Sequence, residues 1–290
     1  MLDAYRLGGS LYVPVTHRDV LSIANGLKWP ELRSVIFCTE DAVAPSALES
    51  GLANLRECLQ RMEPRPLLRR FVRVRNPEIL DWLLTLPDIE KLDGFVLPKF
   101  DLSNADRYLE RLRGSPHLCM PTLETRDVFE PARMITLRDH LLERGHYERI
   151  LALRIGGNDL LSLLGIRRPR DRTIYRTPLG HTIAQLVTLF KPHGFQLTAP
   201  VFEHIDRPEV LHEELSDDIA HGLCGKTAIH PSQLPLIEAS FRVAPSDLEA
   251  ARRILEESEQ AVFKFEGSMC ELATHSTWAR HIIDRTALDS

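Results

Sequence analysis

The chain alternates between two kinds of hydrophobic pattern, eight runs of one with seven of the other between them, and few folds accommodate that. Short apolar runs rich in β-branched residues read as strands at 10–15, 33–38, 68–75, 94–99, 117–124, 149–155, 195–199 and 225–230. Between them, 18–26, 46–62, 78–84, 103–113, 128–144, 179–193 and 207–222 carry apolar residues three and four apart, which places one face of a helix against a core. Eight strands alternating with helices in about 240 residues have the size and order of an α/β (β/α)₈ TIM barrel. An open doubly wound sheet also alternates strand and helix, but no G-x-G-x-x-G follows the first run. Residues 1–243 are therefore expected to form the barrel. Residues 244–290 are expected to form a C-terminal helical extension: a helix over 245–264, a turn at Glu266-Gly267 and a last helix around 271–285, placed at a subunit interface.

Composition removes several function classes. The 36 Lys and Arg against 41 Asp and Glu give a formal charge of −5, which supplies no electrostatic footprint for nucleic acid. No long uncharged apolar run suggests a membrane span. Cys38, Cys58, Cys119, Cys224 and Cys270 are odd in number and contain no C-x-x-C, so they read as reduced thiols of a cytoplasmic protein. The first thirty residues mix charges into the apolar positions and do not read as a secretory signal.

In a barrel of this kind, reactive side chains belong where strands end and the following loops begin. That rule selects Glu40 and Asp41 after the second strand, Arg73 and Arg75 on the third, Lys99 after the fourth, Glu124 ending the fifth, Asp159 after the sixth, and Lys226 with His230 around the eighth. Charged residues ending apolar strands are costly to bury unless paired or metal-bound, so their accumulation on one rim points to a site. Alternation places Met120, Thr122 and Glu124 on one face, and Gly156-Gly157 allows a tight turn before Asp159. Carboxylates on adjacent strand ends reach one hard cation, and an oxygen-only site suits Mg²⁺. The structural alternatives are that Asp159 caps the next helix and Glu124 pairs with an arginine. Arg73 and Arg75 share a face in the extended reading and need anions, either these carboxylates or an anionic ligand. Lys99 is a Schiff-base candidate only if no carboxylate such as Glu40 keeps it charged. His230 before Pro231 reads as a loop-holding residue, and His275 and His281 as surface or interface residues.

Several of these residues sit in segments that resemble the HpcH/HpaI aldolase and citrate lyase beta-subunit superfamily, in its citrate-lyase-beta-like branch. Ser10-Leu11-Tyr12-Val13-Pro14, Glu40-Asp41-Ala42-Val43-Ala44-Pro45, Val72-Arg73-Val74 with Asn76-Pro77, Val96-Leu97-Pro98-Lys99, Leu123-Glu124-Thr125 and Gly156-Gly157-Asn158-Asp159-Leu160 resemble its motifs in order. The run 225–233, G-K-T-A-I-H-P-S-Q, is the most specific match. The resemblance implies a Mg²⁺-dependent carbon–carbon lyase with Glu124 and Asp159 on the metal and Arg73 stabilising an enolate, Arg75 being its register alternative. It implies further that Glu40, Asp41 and Lys99 hold the substrate rim, and that Glu271 is an acid/base from a neighbouring subunit. The implied substrate is a 3-hydroxy acid or its CoA thioester, cleaved to a keto acid and an enolate fragment in a homotrimer or hexamer. A metal-dependent aldolase acting on free acids and a barrel that has become a binding or assembly subunit are the alternatives. The chain departs from the family pattern in four places: Cys38-Thr39 replaces its first acid, Gly9 replaces an arginine, Thr198-Ala199-Pro200 lacks an aspartate, and Met269-Cys270-Glu271 stands where M-I-D is common.

Overall fold

The computed structural model describes residues 3–64, 67–256 and 262–289, which divide into a unit of Met1–Ser240 and a second of Phe241–Ser290. In the first unit, β1 (Gly8–Pro14), β2 (Ser34–Cys38), β3 (Arg69–Arg73), β4 (Gly94–Leu97), β5 (Leu118–Leu123), β6 (Leu153–Ile155), β7 (Leu197–Thr198) and β8 (Gly225–Ala228) are all parallel, in the order β7-β6-β5-β4-β3-β2-β1-β8. The ring closes where Ala199 bridges Lys226 and the Ala199 amide donates to the Gly225 carbonyl at 2.7 Å. All eight expected strands are present as a TIM barrel; seven are shorter than their apolar runs, and β1 begins two residues before its run.

The helices follow the expected alternation: α1 (Val20–Ala24), α2 (Leu48–Arg61), α3 (Pro77–Leu84), α4 (Ala105–Leu109), α5 (Pro131–Glu143), α6 (Gly157–Leu163), α7 (Pro178–Phe190), α8 (Pro208–Ala220) and α9 (Leu234–Phe241). Four of them begin on proline, whose missing N–H costs nothing in a first turn, and Asn76 and Thr177 cap α3 and α7 through their side chains. Every residue of β2 and β4 is buried, as strands covered by the barrel interior on one side and helices on the other must be. Ile36, Phe71, Val96, Met120 and Ala152 fill the lower interior. No described helix is long and apolar enough to cross a membrane.

Outside the strand wall lies a buried ionic network. Lys226, on β8, points away from the barrel axis and donates to Glu214 at 2.9 Å and Asp218 at 2.8 Å, both on α8. Arg168 pairs with Glu214, and the Tyr175 hydroxyl donates to Asp218 at 2.7 Å, tying the long connection before α7 to the same helix. The expectation that Lys226 lies on the rim is thus corrected. Its neighbour His230 caps the turn at Pro231–Gln233, its ring accepting from the Ser232 amide, which is the loop-holding role expected of it.

The second unit holds α10 (Pro245–Glu256), β9 (Val262–Phe265), β10 (Ser268–Glu271) and α11 (Leu272–Asp289) around Ala251, Ile254, Cys270, Ala279 and Ile282. The expected helix over 245–264 is therefore wrong at its end: 257–261 lie outside the described residues, and 262–264 are strand. Glu266 and Gly267, with φ of 47° and 85°, form the two-residue turn of an antiparallel hairpin rather than a link between helices.

The buried network yields two predictions. Lys226→Met leaves Glu214 and Asp218 together with only Arg168 as counter-charge and is expected to cost about 3–5 kcal/mol in urea unfolding. Burial above all, opposed by Lys226 and reinforced by Glu214, raises the Asp218 carboxyl from 3.8 to about 6. The unfolded chain releases this proton at lower pH than the folded one, so this contribution to stability is present below about pH 4 and is lost as pH rises to about 6. Asp218→Asn is expected to remove that component: its stability relative to wild type should rise across this window in urea titrations at stepped pH and stay level above it.

Candidate active site

At the C-terminal mouth of the barrel, β3 ends on Arg73, and its guanidinium meets two carboxylates, one past the end of β2 and one past the end of β5. Nε donates to Glu40 Oε2 at 2.9 Å and Nη2 to Glu124 Oε1 at 3.0 Å, with Asp41 Oδ2 at 3.5 Å. Arg73, Glu40 and Glu124 are all buried. Nη1 makes no hydrogen bond among the described residues, which leaves one donor face of the fork free.

Lys99 joins this cluster through two separate groups. Its backbone N–H donates to Glu124 Oε1 at 2.8 Å, and its Nζ donates to Glu40 Oε1 at 2.5 Å with Asp41 Oδ2 at 3.4 Å. The residue lies past the end of β4 with φ of 47°, a left-handed conformation that costs energy for any residue with a Cβ. These carboxylates raise the Lys99 pKa against the opposing effect of burial, so the ammonium is retained and the Schiff-base reading is set aside.

Glu124 follows β5 directly, and Asp159 lies in the first turn of α6. The helix is capped by Gly156 without a side-chain bond, so Asp159 does not serve as its cap, and its carboxylate takes no hydrogen bond among the described residues. Gly156 is required by the site itself: a Cβ there would overlap the Glu124 carboxylate. Burial raises the Glu124 pKa, Arg73 opposes the shift, and the facing charge of Asp159 reinforces it. Glu40 behaves in the opposite sense. Burial disfavours its ionised form, but hydrogen bonding at Asp41 and the charges and hydrogen bonds of Arg73 and Lys99 outweigh this and hold it at about 2.

Arg73, Glu124 and Asp159 line one cavity of about 310 Å³ with Tyr12, Thr122 and Arg154. In the rim cluster four carboxylates, Glu40, Asp41, Glu124 and Asp159, face two cations, Arg73 and Lys99. No group of three or more His, Cys, Asp or Glu among the described residues has a metal-holding arrangement. Two carboxylates with excess negative charge nonetheless fit Mg²⁺, which keeps several waters and takes one or two protein carboxylates rather than a full protein cage.

One expected residue, Arg75, is not in this constellation. Arg75 lies past the end of β3, where alternation no longer holds, and donates to the carbonyls of Thr39, Glu40 and Val43 at 3.0, 3.0 and 2.5 Å. It holds the loop after β2 and does not share a face with Arg73. Glu271 ends β10 in the second unit, where its carboxylate accepts from the Thr274 hydroxyl at 3.2 Å and its amide donates to His275 Nδ1 at 3.0 Å. Gly9, the second residue of β1, lies at the opposite end from the mouth and donates its amide to Glu238 at 2.6 Å. Arg154, within β6, was not selected from the sequence because the rule applied there looked only at strand ends. A lone charge in the buried run Leu151-Ala152-Leu153-Arg154-Ile155 is the signal that would have found it.

Arg73→Met leaves Glu124 without its cation and Glu40 with Lys99 alone, and is expected to cost about 3–5 kcal/mol in urea unfolding, whereas Arg73→Lys, which keeps the charge but lacks the planar fork, should lose less.

A family model described as a C–C bond lyase of the TIM-barrel fold matches residues 1–289. A (3S)-malyl-CoA thioesterase of Cereibacter sphaeroides is 28% identical over 264 residues, 89% of this chain and 85% of that protein. A citrate lyase subunit beta-like protein of Mycobacterium tuberculosis is 32% identical over 247 residues, 83% of this chain and 84% of its own length. Among solved structures, the CitE protein of M. tuberculosis in complex with magnesium, acetoacetate and coenzyme A superposes with a TM-score of 0.71 at 24% identity, covering 97% of this chain and 99% of that one. With an eight-stranded parallel barrel, acidic strand ends at its mouth and a family match across nearly its whole length, the chain belongs to the carbon–carbon bond lyase family of the TIM-barrel fold.

Proposed function

We propose that the protein is a Mg²⁺-dependent lyase that cleaves a 3-hydroxy acid or its CoA thioester to a keto acid and an enolate-derived fragment. The observation that carries this reading is the pairing of Glu124 and Asp159 at one cavity with the free donor face of Arg73 beside them. The similarity to a malyl-CoA thioesterase, to a citrate lyase beta-like protein and to a structural neighbour holding magnesium and coenzyme A supports the substrate class.

Glu124 and Asp159 would hold the cation. When bound, Mg²⁺ would polarise the oxygen that becomes the keto carbonyl and fix the adjacent carboxylate. Arg73, locked by Glu40 and Glu124, presents Nη1 without reorganisation to the oxygen on which negative charge develops as the C–C bond breaks. Lys99 and Glu40 hold Arg73 and Glu124 in place, and Asp41 lies at the solvent edge of the same cluster.

Cleavage also needs a base for the substrate hydroxyl and an acid for the enolate carbon. Glu40 is a poor candidate because it stays ionised to about pH 2 within two ion pairs. Glu271, delivered by a second copy in a homo-oligomer, is the acid/base we assign to that role. The keto acid, with or without an acyl-CoA, is the small-molecule partner.

A panel of 3-hydroxyacyl-CoA esters and free 3-hydroxy acids, assayed with Mg²⁺ for keto acid and for free CoA, tests the proposal. Keto acid release that stops on chelation is expected, with Asp159→Asn lowering kcat/KM by at least about 100-fold while the melting temperature is retained. Free CoA without keto acid would instead make the protein a thioester hydrolase, and keto acid from free acids alone would make it an aldolase.

A further inference from the structure

The cavity that holds Glu124 and Asp159 contains a second cation with no anion to balance it. Arg154 is 2% exposed and is the largest fully buried side chain of the described residues. Its partners are all neutral: Nη2 donates to Thr227 Oγ1 at 2.6 Å, Nη1 meets Met120 Sδ at 3.7 Å, and the guanidinium lies 5.5 Å from the centroid of the Tyr12 ring. Among the described residues no carboxylate pairs with it. Three other buried cations, Arg73, Arg168 and Lys226, behave differently: each pairs with at least one carboxylate. A thioether, a hydroxyl and an aromatic face do not offset the desolvation of a guanidinium, so an unbalanced buried charge of this kind implies an anion supplied from outside.

Its position shows where that anion would sit. Arg154 is in register with Thr122 on β5, two residues below Glu124, so it lies beneath the carboxylates at the mouth. The Thr122 hydroxyl is buried, lines the same cavity and has no hydrogen-bond partner. A planar donor fork beside an unpartnered hydroxyl matches a carboxylate, which accepts two parallel N–H bonds and one O–H bond.

We infer that Arg154, with Thr122, is a specificity-determining receptor for a second carboxylate of the substrate. The fragment that occupies the floor of the cavity is then a dicarboxylate rather than a monoacid ending in hydrogen or methyl. This inference rests on the lyase reading for the placement of the first carboxylate near the mouth.

The test is calorimetric titration, in the presence of Mg²⁺, with (S)-malate and with 2-hydroxybutyrate, which are close in size and differ in the second carboxylate. Wild type is expected to bind malate at least about tenfold more tightly, the worth of one charge-assisted hydrogen bond. Arg154→Met is expected to bind both acids equally, and Arg154→Lys to recover part of the preference. Because the cation has only neutral partners among the described residues, Arg154→Met should melt no lower than wild type, whereas a structural arginine would lower the melting temperature on removal. A wild type without preference for malate, or a preference that survives in Arg154→Met, overturns the inference. If wild-type malate binding needs Arg154 but neither Mg²⁺ nor Asp159, the anion receptor stands and the lyase reading fails.

Discussion

The mouth of this barrel depends on one guanidinium. Arg73 ends β3 between Glu40, beyond β2, and Glu124, beyond β5, and its charge favours the ionised form of both buried carboxylates. Because two of its three nitrogens are committed, the third is fixed in direction before any ligand arrives. The same contacts fix Glu124 Oε1, so the position of Asp159 decides what the remaining oxygens can hold. Of the two readings of Glu124 that the sequence left open, the pairing with an arginine is observed, and the metal site is the one we propose beside it.

Charge balance separates three buried clusters by role. Outside the strand wall, Arg168 and Lys226 face Glu214 and Asp218, cation for anion, in a network closed by Tyr175. It binds the connection before α7 to α8 and needs nothing further. At the mouth, carboxylates outnumber cations, an imbalance that the divalent metal we propose would correct. Deeper inside, Arg154 is a cation without an anion, the opposite imbalance. A balanced cluster is architecture, whereas an unbalanced one is half of a complex.

The barrel was legible because its signal is redundant: each buried strand is a run of apolar residues, and proline or a capping side chain marks the helix that follows. The rim residues followed from one rule about strand ends. What failed was alternation carried past the point where the backbone stops being extended. Arg75 lies beyond the end of β3, and the chain there has turned, so its side chain returns to the carbonyls after β2. Lys226 was assigned to the rim for its place near a strand end, although its side chain faces outward to α8. The hairpin after α10 was hidden because Val262–Phe265 is too short to show a period of two against a helical pattern upstream. Arg154 went unselected because position along a strand was used as the filter and the burial of a lone charge was not.

Lys99 contributes to the cluster through two chemically independent parts. The amide that supports Glu124 belongs to the backbone and depends on a left-handed turn, whereas the ammonium that supports Glu40 belongs to the side chain. Glycine or asparagine would occupy that turn with less strain and keep the amide, but neither brings the charge. The position therefore tolerates an uncomfortable backbone in exchange for a side chain that no turn-forming residue provides, and its two duties can be separated by substitution without disturbing the strand before it.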